Sequence, residues 1–119
     1  MNILVADDDQ MLSKMICTIL KEGGHSCVPA FDAMQAVMFA MKRPPDLVLL
    51  DINMPAGSGI GVLQRLKANS KTSTVPVLVL SGSTDPAITA QALKLGAVAF
   101  LSKPVDPAVL LQAVADALK

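Results

Sequence analysis

Three consecutive aspartates, Asp7, Asp8 and Asp9, follow an apolar run near the amino terminus, and a further aspartate, Asp51, closes a second apolar run. Ser81 closes a third, and Lys103 follows a fourth. If Asp7, Asp8 and Asp51 come together they repel one another, and a divalent cation relieves that repulsion. Carboxylate oxygens with no histidine or cysteine beside them favour Mg²⁺, which keeps several waters and prefers a partly open site. A lysine beside such a cluster adds a second positive charge suited to phosphoryl oxygens. A serine hydroxyl can donate a hydrogen bond to the same group. A carboxylate can also attack phosphorus and become an aspartyl phosphate. The set fits phosphoryl transfer to an aspartate, with the cation and the lysine neutralising the developing charge.

Each residue alone also has a plain structural reading. Asp7, Asp8 and Asp9 can cap a helix, since acids favour helix amino termini. Lys103 suits a solvated loop and Ser81 a turn. Asp51 is harder to explain as a cap, because Pro55 and the glycines after it delay the next helix. It is the joint arrangement that points to a site.

The elements that position these residues alternate. Asn2 to Ala6 is a continuous apolar run, as in a strand buried on both faces. Gln10 to Glu22 repeats apolar residues at helical spacing (Leu12, Met15, Ile16, Ile19, Leu20) and stops at Gly23-Gly24. Ser26 to Ala30 is a weaker strand whose Pro29 predicts a sheet edge. Asp32 is placed to cap a helix from Ala33 to about Lys42, ended by Pro44-Pro45. Leu47 to Ile52 forms the next strand, and Asn53 to Gly59 a loop of turn formers. A helix over Ile60 to Ala68 follows, with Ile60, Leu63 and Leu66 on one face. A strand over Val75 to Leu80 comes next. Asp85-Pro86 reads as a cap and first helical proline for a helix to Leu95, stopped by Gly96. Val98 to Leu101 is the last strand, and Asp106-Pro107 opens a helix that reaches the carboxyl terminus.

Five strands in strict alternation with five helices predict a doubly wound parallel sheet with helices on both faces, formed by residues 1–119 as one domain. The carboxyl ends of parallel strands share one edge, where open α/β sheets bind their ligands. Asp7, Asp8, Asp51, Ser81 and Lys103 would therefore meet in one crevice.

The 119 residues are 52% apolar and 17% charged, with a net charge of zero. That excludes a disordered chain and leaves no basic footprint for nucleic acid. Tryptophan and tyrosine are absent, so the usual base-stacking platforms are missing. No apolar run approaches a membrane span, and the amino terminus shows no signal pattern. Cys17 and Cys27 sit in unlike segments and read as buried, reduced thiols of a cytoplasmic protein. His25, the one histidine, falls in a turn and is expected to face solvent. Gly57, Gly59 and Gly61 do not make a GxGxxG after the first strand, and no phosphate-loop lysine exists, so nucleotide binding is disfavoured. Met34, Met38 and Met41 in the second helix are expected to fill core.

With Asp7-Asp8, Asp51-Ile52-Asn53-Met54-Pro55, Ser81 and Lys103-Pro104 in this order, the chain resembles the receiver domain of two-component response regulators over essentially its whole length. It is similar to the single-domain form found in chemotaxis. The resemblance implies a flavodoxin-like strand order, 2-1-3-4-5. It implies that Asp51 accepts a phosphoryl group from a histidine kinase or phosphotransfer protein. It implies that Asp8, Asp51 and the backbone carbonyl of Asn53 bind Mg²⁺, with Asp7 acting through water. Lys103 would pair with the phosphoryl oxygens, and Ser81 would swing toward the group and let Phe100 turn inward. Leu12 and Met15 would face the phosphodonor, and a cis peptide bond would join Lys103 to Pro104. Output would run through the fourth helix, fifth strand and fifth helix to a protein partner or a second copy. On the fifth helix, Val109, Ala113 and Ala117 are expected to leave an apolar strip outside the core.

Two positions depart from the family pattern. Phe100 stands where tyrosine is common, and Ser81 stands where threonine is commoner. Gly82 and Ser83 bring no charge to the pocket. Such a domain is a regulatory switch rather than an enzyme. Two alternatives are an aspartyl-phosphate hydrolase of the haloacid dehalogenase type and a degenerate receiver that only binds partners. The first normally has a second acid two residues after the nucleophile, where this chain has Asn53. The intact Asp8, Asp51 and Lys103 argue against the second.

Overall fold

A computed structural model describes residues 1–54, 58–82 and 86–119, with the backbone alone at Ser58. The chain runs β1 (Asn2–Ala6), α1 (Gln10–Glu22), β2 (Ser26–Ala30), α2 (Ala33–Lys42), β3 (Leu47–Asp51), α3 (Ser58–Ala68), β4 (Val77–Ser81), α4 (Pro86–Lys94), β5 (Ala99–Ser102) and α5 (Pro107–Ala117). All four strand pairs are parallel, and the order is β2-β1-β3-β4-β5, as the resemblance implies.

The continuous apolar runs occupy the middle of the sheet. Every residue of β3 and β4 is buried, and Ile3 to Ala6 of β1 are buried too. Alternate residues serve opposite faces. Leu4, Ala6, Val48, Leu50, Val77 and Val79 pack under α2, α3 and α4. Ile3, Val5, Leu47, Leu49, Leu78 and Leu80 pack under α1 and α5. Helices on both faces cover the sheet as expected.

Local chemistry fixes the helix ends. The Asp9 carboxylate accepts from the Leu12 N–H at 3.0 Å and caps α1. Asp32 caps α2 by accepting from Gln35 N–H at 2.7 Å, and Gln35 returns a bond from the Phe31 N–H at 2.9 Å. The first bond satisfies a donor that the first helical turn leaves unpaired, and the second ties down the residue before the cap. Asp106 caps α5 ahead of Pro107. Gly24 follows α1 at φ 88°, a conformation that favours glycine.

Several expectations are corrected. The strand predicted from Val75 begins at Val77. The Val75 N–H closes a turn onto the Thr72 carbonyl, and Pro76 has no N–H to give a ladder. The helix predicted from Ile60 begins at Ser58, and α4, α5 and β5 shift their ends by a residue or two. Met34 and Met38 are exposed, because Ala36 and Ala40 form the buried stripe of α2 and leave no depth for longer chains. His25 is half-buried rather than solvent-facing, and its Nδ1 is buried without a hydrogen-bond partner. Cys17 and Cys27 are half-buried and joined by a disulfide, since α1 lies against β2 with the two Cα atoms 5.5 Å apart. On α5, Ala113 and Ala117 pack against the core, so of the expected strip only Val109 is well exposed. The Asp85 cap lies outside the described residues. Pro29 sits on an edge strand, as expected.

Candidate functional site

The carboxyl ends of β1, β3 and β4 and the segment after β5 bring the predicted polar residues to one edge. Asp7, Asp8 and Asp51 offer oxygens within 4.8 Å of one another. Asp7 and Asp51 are buried, whereas Asp8 is exposed. Lys103 bridges the two buried acids, with its Nζ 3.1 Å from Asp7 Oδ2 and 3.2 Å from Asp51 Oδ2. Its backbone N–H donates to the Ser81 carbonyl at 2.8 Å. The expected cis bond joins Lys103 to Pro104.

Backbone donors hold the remaining carboxylate oxygens. The Asp9 N–H donates to Asp7 Oδ1 at 2.9 Å, and the Asn53 N–H donates to Asp51 Oδ1 at 2.9 Å. In both cases a carboxylate grips the backbone two residues on, which orients the side chain and shapes the turn behind the strand.

Electrostatics at the site are unbalanced. Two buried acids face one ammonium. Burial first, and then the Asp51 charge, hold the Asp7 carboxyl above the usual carboxylate value, despite the Asp9 N–H and Lys103. Burial alone would lower the Lys103 ammonium. The Asp7 hydrogen bond and the charges of Asp51 and Asp7 outweigh it, and the net direction is upward. A cation beside Asp7, Asp8 and Asp51 would remove the excess negative charge. The donor set is hard oxygen, and Asp7 Oδ2 is buried with no hydrogen-bond partner among the described residues beyond its ion pair, so the residues fit a divalent cation.

Ser81 is buried, and the Asn53 side-chain amide donates to its Oγ at 3.1 Å. The family resemblance names Asn53 for its backbone carbonyl, and nothing in the sequence reading anticipates this amide contact. Its one signal is the two-residue offset from Asp51. Phe100 is half-buried against the α2–α3–α4 side of the core. On α1, Ile16, Ile19 and Leu20 are buried, Leu12 is half-buried and Met15 is 44% exposed. Among the described residues, no helix is long and apolar enough to cross a membrane.

Comparison with known proteins agrees with this geometry. The family described as "Response regulator receiver domain" matches residues 3–115. The phosphate regulon transcriptional regulatory protein PhoB of Pseudomonas aeruginosa is 34% identical over 109 residues, 92% of this chain and 48% of that protein. The DNA-binding response regulator MtrA of Mycobacterium leprae is 35% identical over 117 residues, 98% of this chain and 51% of that protein. The chain thus spans about half the length of the curated relatives it matches. Among solved structures, chemotaxis protein CheY4 of Vibrio cholerae superposes with a TM-score of 0.93 at 27% identity over 98% of each chain.

Proposed function

Because this chain belongs to the response regulator receiver domain family, a regulatory signalling family whose members take phosphate from histidine kinases, we propose that Asp51 is its phosphoacceptor. The observation that carries the assignment is the Lys103 ammonium shared between Asp7 and Asp51. Residues 1–119 form the receiver. The Asp51 carboxylate attacks phosphorus, the bond from phosphorus to the donor's imidazole nitrogen or acyl oxygen breaks, and the donor departs with its electron pair. Lys103 neutralises oxygens of the transferred group. Ser81 donates its hydroxyl to the product, giving up the Asn53 contact, and Phe100 moves inward behind it.

Asp8, Asp51 and the Asn53 carbonyl would hold Mg²⁺, with Asp7 acting through a bound water. The cation would supply charge neutralisation at the acids and the incoming phosphoryl oxygens. The exposure of Asp8 beside the buried Asp7 supports this division, since an open carboxylate can reach a hydrated ion. Leu12 and Met15 form the face offered to a histidine kinase or phosphotransfer protein. The changed surface of α4, β5 and α5 is offered to a downstream protein. A cytoplasmic location fits this role.

Treatment with acetyl phosphate and Mg²⁺ should add one phosphoryl group, read by intact mass. Asp51→Asn should remain unlabelled. Labelling that persists in that variant overturns the assignment.

A further inference from the structure

Apart from the carboxylates, the Cys17–Cys27 disulfide lies in the wall of a groove between α1 and the edge strand β2. The groove has a volume of about 480 Å³, in the range of small-molecule sites. Both cysteines are half-buried, and both line the groove. Lys14 and Lys21 line it, both exposed, and among the described residues no acidic one does. Among the described residues neither lysine is in an ion pair. Ser13 contributes to the same lining a buried hydroxyl with no hydrogen-bond partner among the described residues. A static crosslink needs neither the cavity nor the two cations.

We propose that this groove binds an anionic low-molecular-weight thiol, a carboxylate-bearing peptide thiol in chemical class, and that the Cys17–Cys27 bond is its thiol–disulfide exchange site. The bound thiolate attacks one protein sulfur, forming a mixed disulfide and breaking the Cys17–Cys27 bond. The other cysteine leaves as a thiolate and takes a proton from water. A second thiolate then attacks the mixed disulfide. The protein gains two electrons and two protons as a dithiol, and two small thiols become one small disulfide. Lys14 and Lys21 hold the carboxylates of the incoming thiol and stabilise the leaving thiolate.

Charge selectivity tests this. Reduction of the intact chain by glutathione and by neutral 2-mercaptoethanol is followed by alkylation and intact mass. In Lys14→Glu/Lys21→Glu the glutathione rate should fall about tenfold, while the 2-mercaptoethanol rate stays within about twofold. Lys14→Gln/Lys21→Gln should give an intermediate loss. Equal changes with both thiols, or no change with either, overturn the proposal. So does finding both cysteines as free thiols after exposure to oxidised glutathione. None of these readouts involves phosphorylation, so the exchange site and the phosphoacceptor stand or fall separately.

Discussion

Asp7 carries the clearest energetic signature of any single residue in this protein. It is fully buried, shares one ammonium with Asp51, and keeps its proton to higher pH in the folded chain than its ordinary value of 3.8. A group whose folded pKa is raised stabilises the fold below the unfolded value, and that contribution is lost as pH rises through the folded value. At neutral pH without metal, ionised Asp7 therefore works against folding. Asp7→Asn leaves Lys103 paired one-to-one with Asp51. It should raise stability in metal-free buffer at pH 7 by about 1 kcal/mol, or roughly 3–6 °C in Tm. The gain should shrink as pH falls through the raised folded value toward 3.8, below which Asp7 becomes protonated in both states. A melting series at pH 7 and pH 4 checks both signs. At this scale the sequence was readable wherever residue type dictates chemistry: Asp7, Asp8, Asp51, Ser81 and Lys103 do meet. It was silent where partners are chosen by packing. The Asn53–Ser81 hydrogen bond and the Cys17–Cys27 bond depend on how α1, the β3 loop and the edge of the sheet sit in space. No spacing rule supplies that.

Among the elements, α3 shows how tightly the site is built against its neighbours. The Gly59 N–H reaches the Ile52 carbonyl at 3.3 Å, and a Cβ at Gly59 would run into the Asp51 carbonyl and the Ile52 backbone. The helix presses directly on the turn that presents Asp51. Two residues along, a Cβ at Gly61 would meet nothing within 4 Å. Gly59→Ala should therefore cost about 1–3 kcal/mol through overpacking against backbone. Gly61→Ala should add about 0.5–1 kcal/mol by removing glycine from a helix interior. Urea midpoints of the two variants should move in opposite directions. Periodicity could not separate these glycines, because both sit in one polar-to-apolar stretch and differ only in what lies across from them. The same limit explains α2. Its apolar residues go nearly all the way round, so the sequence could not show that Ala36 and Ala40, not Met34 and Met38, face the sheet. The central strands gave no such trouble. Only burial on both faces explains runs as apolar as Leu47–Leu50.

Taken whole, the molecule is anchored unevenly around its sheet. Of the residues of α4 only Ala92 is fully buried, whereas α1 buries Ser13, Ile16, Ile19 and Leu20. A helix held by so little apolar area opens at low free-energy cost, and ligand-dependent states differ most readily in such elements. Amide exchange with Mg²⁺ and beryllofluoride, which mimics the phosphoryl group, should change across α4 and β5 and hardly at all in β1 and β3. Exchange unchanged throughout residues 86–119 would remove this surface as the output face. The opposite edge of the sheet differs in kind. The Ser26 N–H and the Ala30 carbonyl bond toward β1, so by alternation Cys27 and Pro29 turn their backbone outward. Proline brings no donor, which leaves Cys27 as the only outward N–H in the middle of β2. A strand from another molecule approaching this edge would find one of the two outward donors missing. Pro29 thus works as a gatekeeper against edge-to-edge polymerisation, terminating the sheet at five strands in a chain whose composition is more than half apolar.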